Sequence, residues 1–144
     1  MTYTTLTVKP LSPHLGAEIE GVDLSKPLSN AQFADIHAAF LKHHVIFFRD
    51  QQLTPEQHIA FGKRWGTLNI HPYVKGMEGH PEIMEIIKEP GDRVNFGGGW
   101  HSDTTYMKTP PMATLPLLSG KYWRSSGVSW ASCWKVAGDN TILG

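Results

Sequence analysis

Polar and apolar positions alternate twice near the start of the chain. Thr2 to Val8 interleaves polar and β-favouring residues, and Leu15, Ala17 and Ile19 alternate with Gly16, Glu18 and Glu20. A period of two puts successive side chains on opposite faces of an extended backbone, so the pattern predicts two short half-buried strands separated by Pro10 and Pro13. The period then lengthens. Phe33, Ile36, Phe40 and Leu41 fall on one helical face, and Ser29 followed three residues later by Gln32 has the form of a capping box. That helix is expected to stop near His43 or His44, because Val45-Ile46-Phe47-Phe48 is a compact apolar run of β-formers that reads as an interior strand. Thr54-Pro55-Glu56-Gln57 repeats the start signal with proline at the first helical position. Ile59, Phe61 and Trp65 supply apolar surface before Gly66, which predicts a helix over 55–65.

Beyond Gly66 the periodicity weakens. Residues 66–81 read as a long loop, and loops of this length are often functional. Ile83, Met84, Ile86 and Ile87 predict a strand, Glu89-Pro90-Gly91-Asp92 a turn, and His101 to Tyr106 a further strand reached through Gly97-Gly98-Gly99 and ended by Thr109-Pro110-Pro111. Strands mixed with two early helices predict an α+β architecture in which the helices cover one side of a sheet or barrel. Residues 116–144 change character: three of the five tryptophans, the only cysteine and a single acidic residue, Asp139, lie there, and no period fits. The expected division is 1–115 as a folded domain and 116–144 as a divergent or irregular tail. Either that tail is natively irregular, or it has left its ancestral reading through a frameshift, a retained intron or a mistaken gene model.

Composition narrows the possible functions. With 144 residues, 40% of them hydrophobic, the chain can bury one real core. Thirteen basic residues balance thirteen acidic ones, which argues against nucleic-acid or anionic-membrane partners that need a net positive field. Cys133 alone excludes an internal disulfide and a four-cysteine zinc site, and the threonine-rich N-terminus lacks the apolar core of a signal peptide. A soluble, cytoplasmic protein is expected. All eight histidines fall at or before His101.

The candidate chemistry centres on His101 and Asp103. If His101 to Tyr106 is extended, residues two apart share a face, so an imidazole and a carboxylate stand side by side while Ser102 points away. That donor set suits Fe(II) or another divalent first-row ion, and a second histidine would complete a facial triad with open positions. By spacing alone an exposed polar strand is the better explanation of the pair.

The surrounding residues carry a resemblance. Gly99-Trp100-His101-Ser102-Asp103-Thr104-Thr105-Tyr106 followed by Thr109-Pro110-Pro111 resembles the metal-binding segment of the taurine dioxygenase family (the TauD/TfdA family), Fe(II)- and 2-oxoglutarate-dependent dioxygenases. The likeness extends upstream through Leu11 to Ile19, Gly21 to Leu24, Val45 to Gln51, Phe61-Gly62 and Ile70-His71-Pro72, in the family's order and spacing, over about residues 6 to 114. It implies a partial double-stranded β-helix (jelly roll) with two flanking helices, and His101 and Asp103 as two of three iron ligands. It implies a substrate contact for His71, whose bland alternative is a loop histidine held by a neighbouring backbone carbonyl. Tyr73 and Asn95 are expected to border the same pocket. The reactants implied are O2, 2-oxoglutarate as cosubstrate and a small organic acid such as a sulfonate, sulfate ester or aryloxyacetate.

The chain also departs from the family. The second iron histidine and the arginine that pairs with 2-oxoglutarate lie far downstream in members of about twice this length, whereas here no histidine follows His101 and no arginine follows Arg124. Gly138-Asp139-Asn140-Thr141 faintly echoes the family's Gly-Gly-Asp-Thr, which makes Thr141 a candidate 2-oxoglutarate contact. The expectation is a truncated copy, inactive alone and prone to self-association. Two rival readings stand beside it: a non-catalytic remnant that pairs with another subunit, and a metal-dependent hydrolase built on His71, His101 and Asp103.

Overall fold

Ser29 and Gln32 close the capping box that their spacing predicts. The Ser29 hydroxyl accepts from the Gln32 N–H at 3.1 Å and the Gln32 side chain accepts from the Ser29 N–H at 3.0 Å. Two donors at the start of helix α1, Asn30–His43, are thereby satisfied. The computed structural model describes residues 2–86, 93, 107–117 and, as backbone, 135–137. It divides into two units, Met1–Phe61 and Gly62–Gly144.

In the first unit, strand β1 (Thr7–Pro10) pairs antiparallel with β2 (Ala17–Glu20), which pairs parallel with β3 (Ile46–Phe48). The alternation expected at Ala17 to Glu20 is present: Ala17 and Ile19 are buried, while Glu18 and Glu20 reach Arg49 and Lys9 at 2.9 and 2.6 Å. These ion pairs are solvent-exposed and contribute little to stability. With Ile36, Ala39, Val22 and Leu24, the buried face of β2 forms the core of this unit.

Two expectations shift. The first strand begins at Thr7 rather than near Thr2, because the backbone N–H groups of Thr4 and Thr5 donate to the Asp35 carboxylate instead of to a ladder. The run Val45 to Phe48, read as an interior strand, supplies the last strand in the order β1-β2-β3, and Val45 and Phe47 are exposed. An apolar run reports β preference but not which of its edges finds a partner.

The passage from α1 to β3 is abrupt. His44, the helix C-cap, has φ 64° and ψ −33°, its N–H donates to the Phe40 carbonyl, and the Val45 N–H donates back to the His43 carbonyl at 2.7 Å. This three-residue turn reverses the chain within one residue. The His43 carbonyl also accepts from the Gly16 N–H at 2.9 Å, which places β2 beside β3. Gly16 has φ +86°, and the space around it would admit a Cβ, so backbone conformation is what calls for glycine there.

Helix α2, Pro55–Lys63, starts as expected and ends two residues before the expected 65. Thr54 and Gln57 form a second reciprocal cap, at 3.3 and 2.8 Å. Phe61 meets Phe48 edge to face, with ring centroids 5.9 Å apart.

The second unit contains a sheet in the order β4-β6-β5, from β4 (Thr67–Asn69), β5 (Pro111–Thr114) and β6 (Lys135–Ala137), all antiparallel. The segment 66–81 is not loop throughout, since β4 lies within it. Pro111 opens β5, a position where the missing N–H costs no ladder bond, while the strand that Thr109-Pro110-Pro111 is expected to end lies outside the described residues. β6 lies in the segment expected to be irregular, and its partners are distant in sequence. Of the strand expected over 83–87, Ile87 lies outside the described residues; Ile83 donates to the His80 carbonyl and accepts from the Met77 N–H, which ties it into a local turn, Met84 makes a single β-bridge, and both side chains are buried as apolar residues should be. The turn expected at Glu89 to Asp92 and the strand expected at His101 to Tyr106 lie outside the described residues.

Candidate functional site

Strand β4 delivers the chain to Ile70-His71-Pro72, and the backbone then turns tightly. His71 Nδ1 accepts hydrogen bonds from the backbone N–H groups of Tyr73, at 3.2 Å, and Val74, at 3.1 Å. Pro72 has no N–H to offer, so the first available donors are the next two residues. The His71 and Tyr73 rings meet edge on, 6.1 Å between centroids and 71° between planes. His71 is half-buried, whereas Tyr73 is 80% exposed, a large aromatic surface presented to solvent.

The bland expectation for His71, a ring held by a backbone carbonyl, has the polarity reversed. The imidazole is held, but by donors, and it acts as the acceptor. No side-chain identity signals this, because the partners are main-chain groups.

Past Val74 the loop closes on itself. The Met77 N–H donates to the Ile83 carbonyl at 2.7 Å, and the His80 N–H donates to the Met77 carbonyl at 3.0 Å. Gly76 sits against the backbone of Pro81 so closely that a Cβ would collide with it. Here close approach requires the glycine.

Of the six residues singled out from sequence, the structure brings His71 and Tyr73 together. His101, Asp103, Asn95 and Thr141 lie outside the described residues. Among the described residues no group of three or more histidine, cysteine, aspartate or glutamate side chains could hold a metal ion. His43 and His58 are buried on the two helices, and His37 stacks at a tilt on Phe33 with centroids 6.2 Å apart. No described helix is long and apolar enough to cross a membrane.

Comparison with known proteins extends this picture. The family model "Taurine catabolism dioxygenase TauD, TfdA family" matches residues 7–115. An alpha-ketoglutarate-dependent sulfate ester dioxygenase from Pseudomonas putida is 36% identical over 111 residues, covering 76% of this chain and 36% of that protein. An alkylsulfatase from Acinetobacter baylyi is 34% identical over 130 residues, covering 88% and 39%. The crystal structure of a taurine dioxygenase from Burkholderia xenovorans superposes with a TM-score of 0.63 at 42% identity, covering 75% of this chain and 38% of that one. The chain therefore spans well under half of each of these proteins.

Proposed function

The chain belongs to the taurine catabolism dioxygenase TauD, TfdA family, and from that premise we propose that it carries part of the active site of an Fe(II)- and 2-oxoglutarate-dependent dioxygenase acting on a small organic anion. The observation that carries this reading is the ordered match over residues 7–115, which contains both the His71 turn and the His-x-Asp segment. In this proposal residues 1–115 are the N-terminal part of a jelly-roll domain and 116–144 a divergent tail.

His101 and Asp103 hold the iron, one through an imidazole nitrogen and the other through a carboxylate oxygen, a donor set that fits Fe(II). Bound there, the iron supplies O2 activation coupled to decarboxylation of 2-oxoglutarate to succinate. The chain's own residues orient the reactants. His71 contacts the anionic head of the substrate, Tyr73 and Asn95 border the pocket, and Thr141 is the candidate contact to 2-oxoglutarate. The sulfate ester and taurine specificities named for the relatives favour a sulfate ester or sulfonate as substrate.

By itself the 144-residue chain is proposed to be inactive. It has no histidine after His101 to complete three protein ligands and no arginine after Arg124 to pair with a 2-oxoglutarate carboxylate. Exposure of Leu11, Leu15, Leu41, Val45 and Phe47 supports self-association of the first unit. A single cysteine is in keeping with a cytoplasmic setting.

Metal binding tests the reading directly. Mn(II), followed by its electron paramagnetic resonance signal, is expected to bind the chain weakly and to be lost in His101→Ala and in Asp103→Ala, while His14→Ala retains it. Equal binding by all of these variants would refute the assignment.

A further inference from the structure

We infer that the backbone of Tyr73 and Val74 fixes His71 as its Nε2–H tautomer, which makes the side chain a hydrogen-bond donor to an anionic oxygen and removes it from the possible metal ligands. The two main-chain N–H groups converge on Nδ1 at 3.2 and 3.1 Å. An amide N–H can only donate, so Nδ1 must present its lone pair, and in a neutral imidazole the ring proton then resides on Nε2. The edge-on Tyr73 ring further restricts how the imidazole can rotate.

The consequences separate two kinds of ligand. A first-row metal binds a neutral imidazole through a lone pair. The lone pair at Nδ1 is already occupied by two donors. To free one at Nε2, the proton would have to move to Nδ1, where it would face those same two N–H groups and cost both hydrogen bonds. An oxygen of a sulfonate, sulfate ester or carboxylate needs the opposite, a donor, and Nε2–H supplies it without rearrangement. His71 is therefore unsuited to complete a metal site with His101 and Asp103, which disfavours the hydrolase alternative. Its use toward a substrate anion rests on the dioxygenase reading above, whereas the tautomer itself does not.

The test is a long-range proton–nitrogen correlation spectrum of the ¹⁵N-labelled 144-residue chain at about pH 8, above the ordinary histidine range. His71 is assigned by the signals missing in His71→Gln. Expected are a pyridine-like Nδ1 and a pyrrole-like Nε2, both unchanged when Zn(II) is added. Val74→Pro removes one donor and Tyr73→Pro the other, and each is expected to move both nitrogens toward averaged values. A proton on Nδ1, a zinc-ligated His71, or variants with unchanged shifts would overturn the inference. None of these outcomes bears on metal binding at His101 and Asp103, so the dioxygenase reading stands or falls separately.

Discussion

Asp35 on helix α1 accepts both the backbone N–H and the hydroxyl of Thr5, each at 2.9 Å, on one carboxylate oxygen. The same oxygen takes the Thr4 N–H at 2.8 Å. The first residues of the chain are thus fastened to a helix thirty positions away, and β1 can start only after that contact is made.

This latch responds to pH. The backbone hydrogen bond from Thr5, and then that from Thr4, hold the Asp35 carboxyl below its ordinary value of 3.8. A lowered folded-state value means that the contribution is present above the unfolded value and is lost as pH falls through the lowered one. Amide exchange protection at Thr4 and Thr5 is expected to persist at about pH 5 and to be lost only as pH falls below the ordinary carboxylate value of 3.8. In Asp35→Asn the protection should be weaker and independent of pH over that interval. Protection that stays constant in the wild-type chain would argue against the latch.

His44 occupies a left-handed conformation that costs a residue with a Cβ roughly 1–2 kcal/mol. The side chain is exposed, so little packing is lost on its removal. His44→Gly is expected to stabilise the chain by about 0.5–1 kcal/mol, and the β-branched His44→Val to destabilise it. Urea denaturation midpoints of the three proteins check this ordering.

Ile36 is fully buried on α1, in the same unit as β2. Ile36→Ala should cost about 2–5 kcal/mol, the usual range for a core truncation that leaves a cavity. Leu41, 59% exposed on the same helix, provides the contrast: Leu41→Ala should change stability by less than about 0.5 kcal/mol. Thermal unfolding of both variants measures the difference, and similar losses in the two would show that the helix faces are misassigned.

If, as proposed above, His101 and Asp103 are the chain's iron ligands, the purified 144-residue chain is expected to show no 2-oxoglutarate-dependent O2 consumption with taurine or an alkyl sulfate, because two protein ligands would hold iron weakly. Oxygen-electrode measurements with added Fe(II) check this. Turnover on the order of 1 per second or more would overturn the proposed inactivity of the chain by itself.

Much of the local structure was legible along the chain. The caps at Ser29 and Thr54, the start of both helices and the buried Ala17 and Ile19 follow from interactions within about four residues, which a linear sequence displays directly. The family was legible as a motif: the order of Ile70-His71-Pro72 and the His-x-Asp segment led to the family that the comparisons bear out, whereas the roles proposed for those residues rest on that resemblance. Less legible were the strand at Thr67–Asn69, the exposure of Val45 and Phe47 and the local turn at Ile83.

The sequence by itself determined where helices begin, the alternation that buries Ala17 and Ile19, and to which family the chain belongs, because each of these depends on residue identities at short or fixed spacing. Only the tertiary structure decided that Thr4 and Thr5 give their N–H groups to Asp35, that β6 lies between β4 and β5, and that His71 is held by donors rather than by a carbonyl. The physical reason is common to all three. Every backbone N–H and C=O must find a partner, and where several could serve, the choice depends on which groups the folded chain brings within about 3 Å of one another.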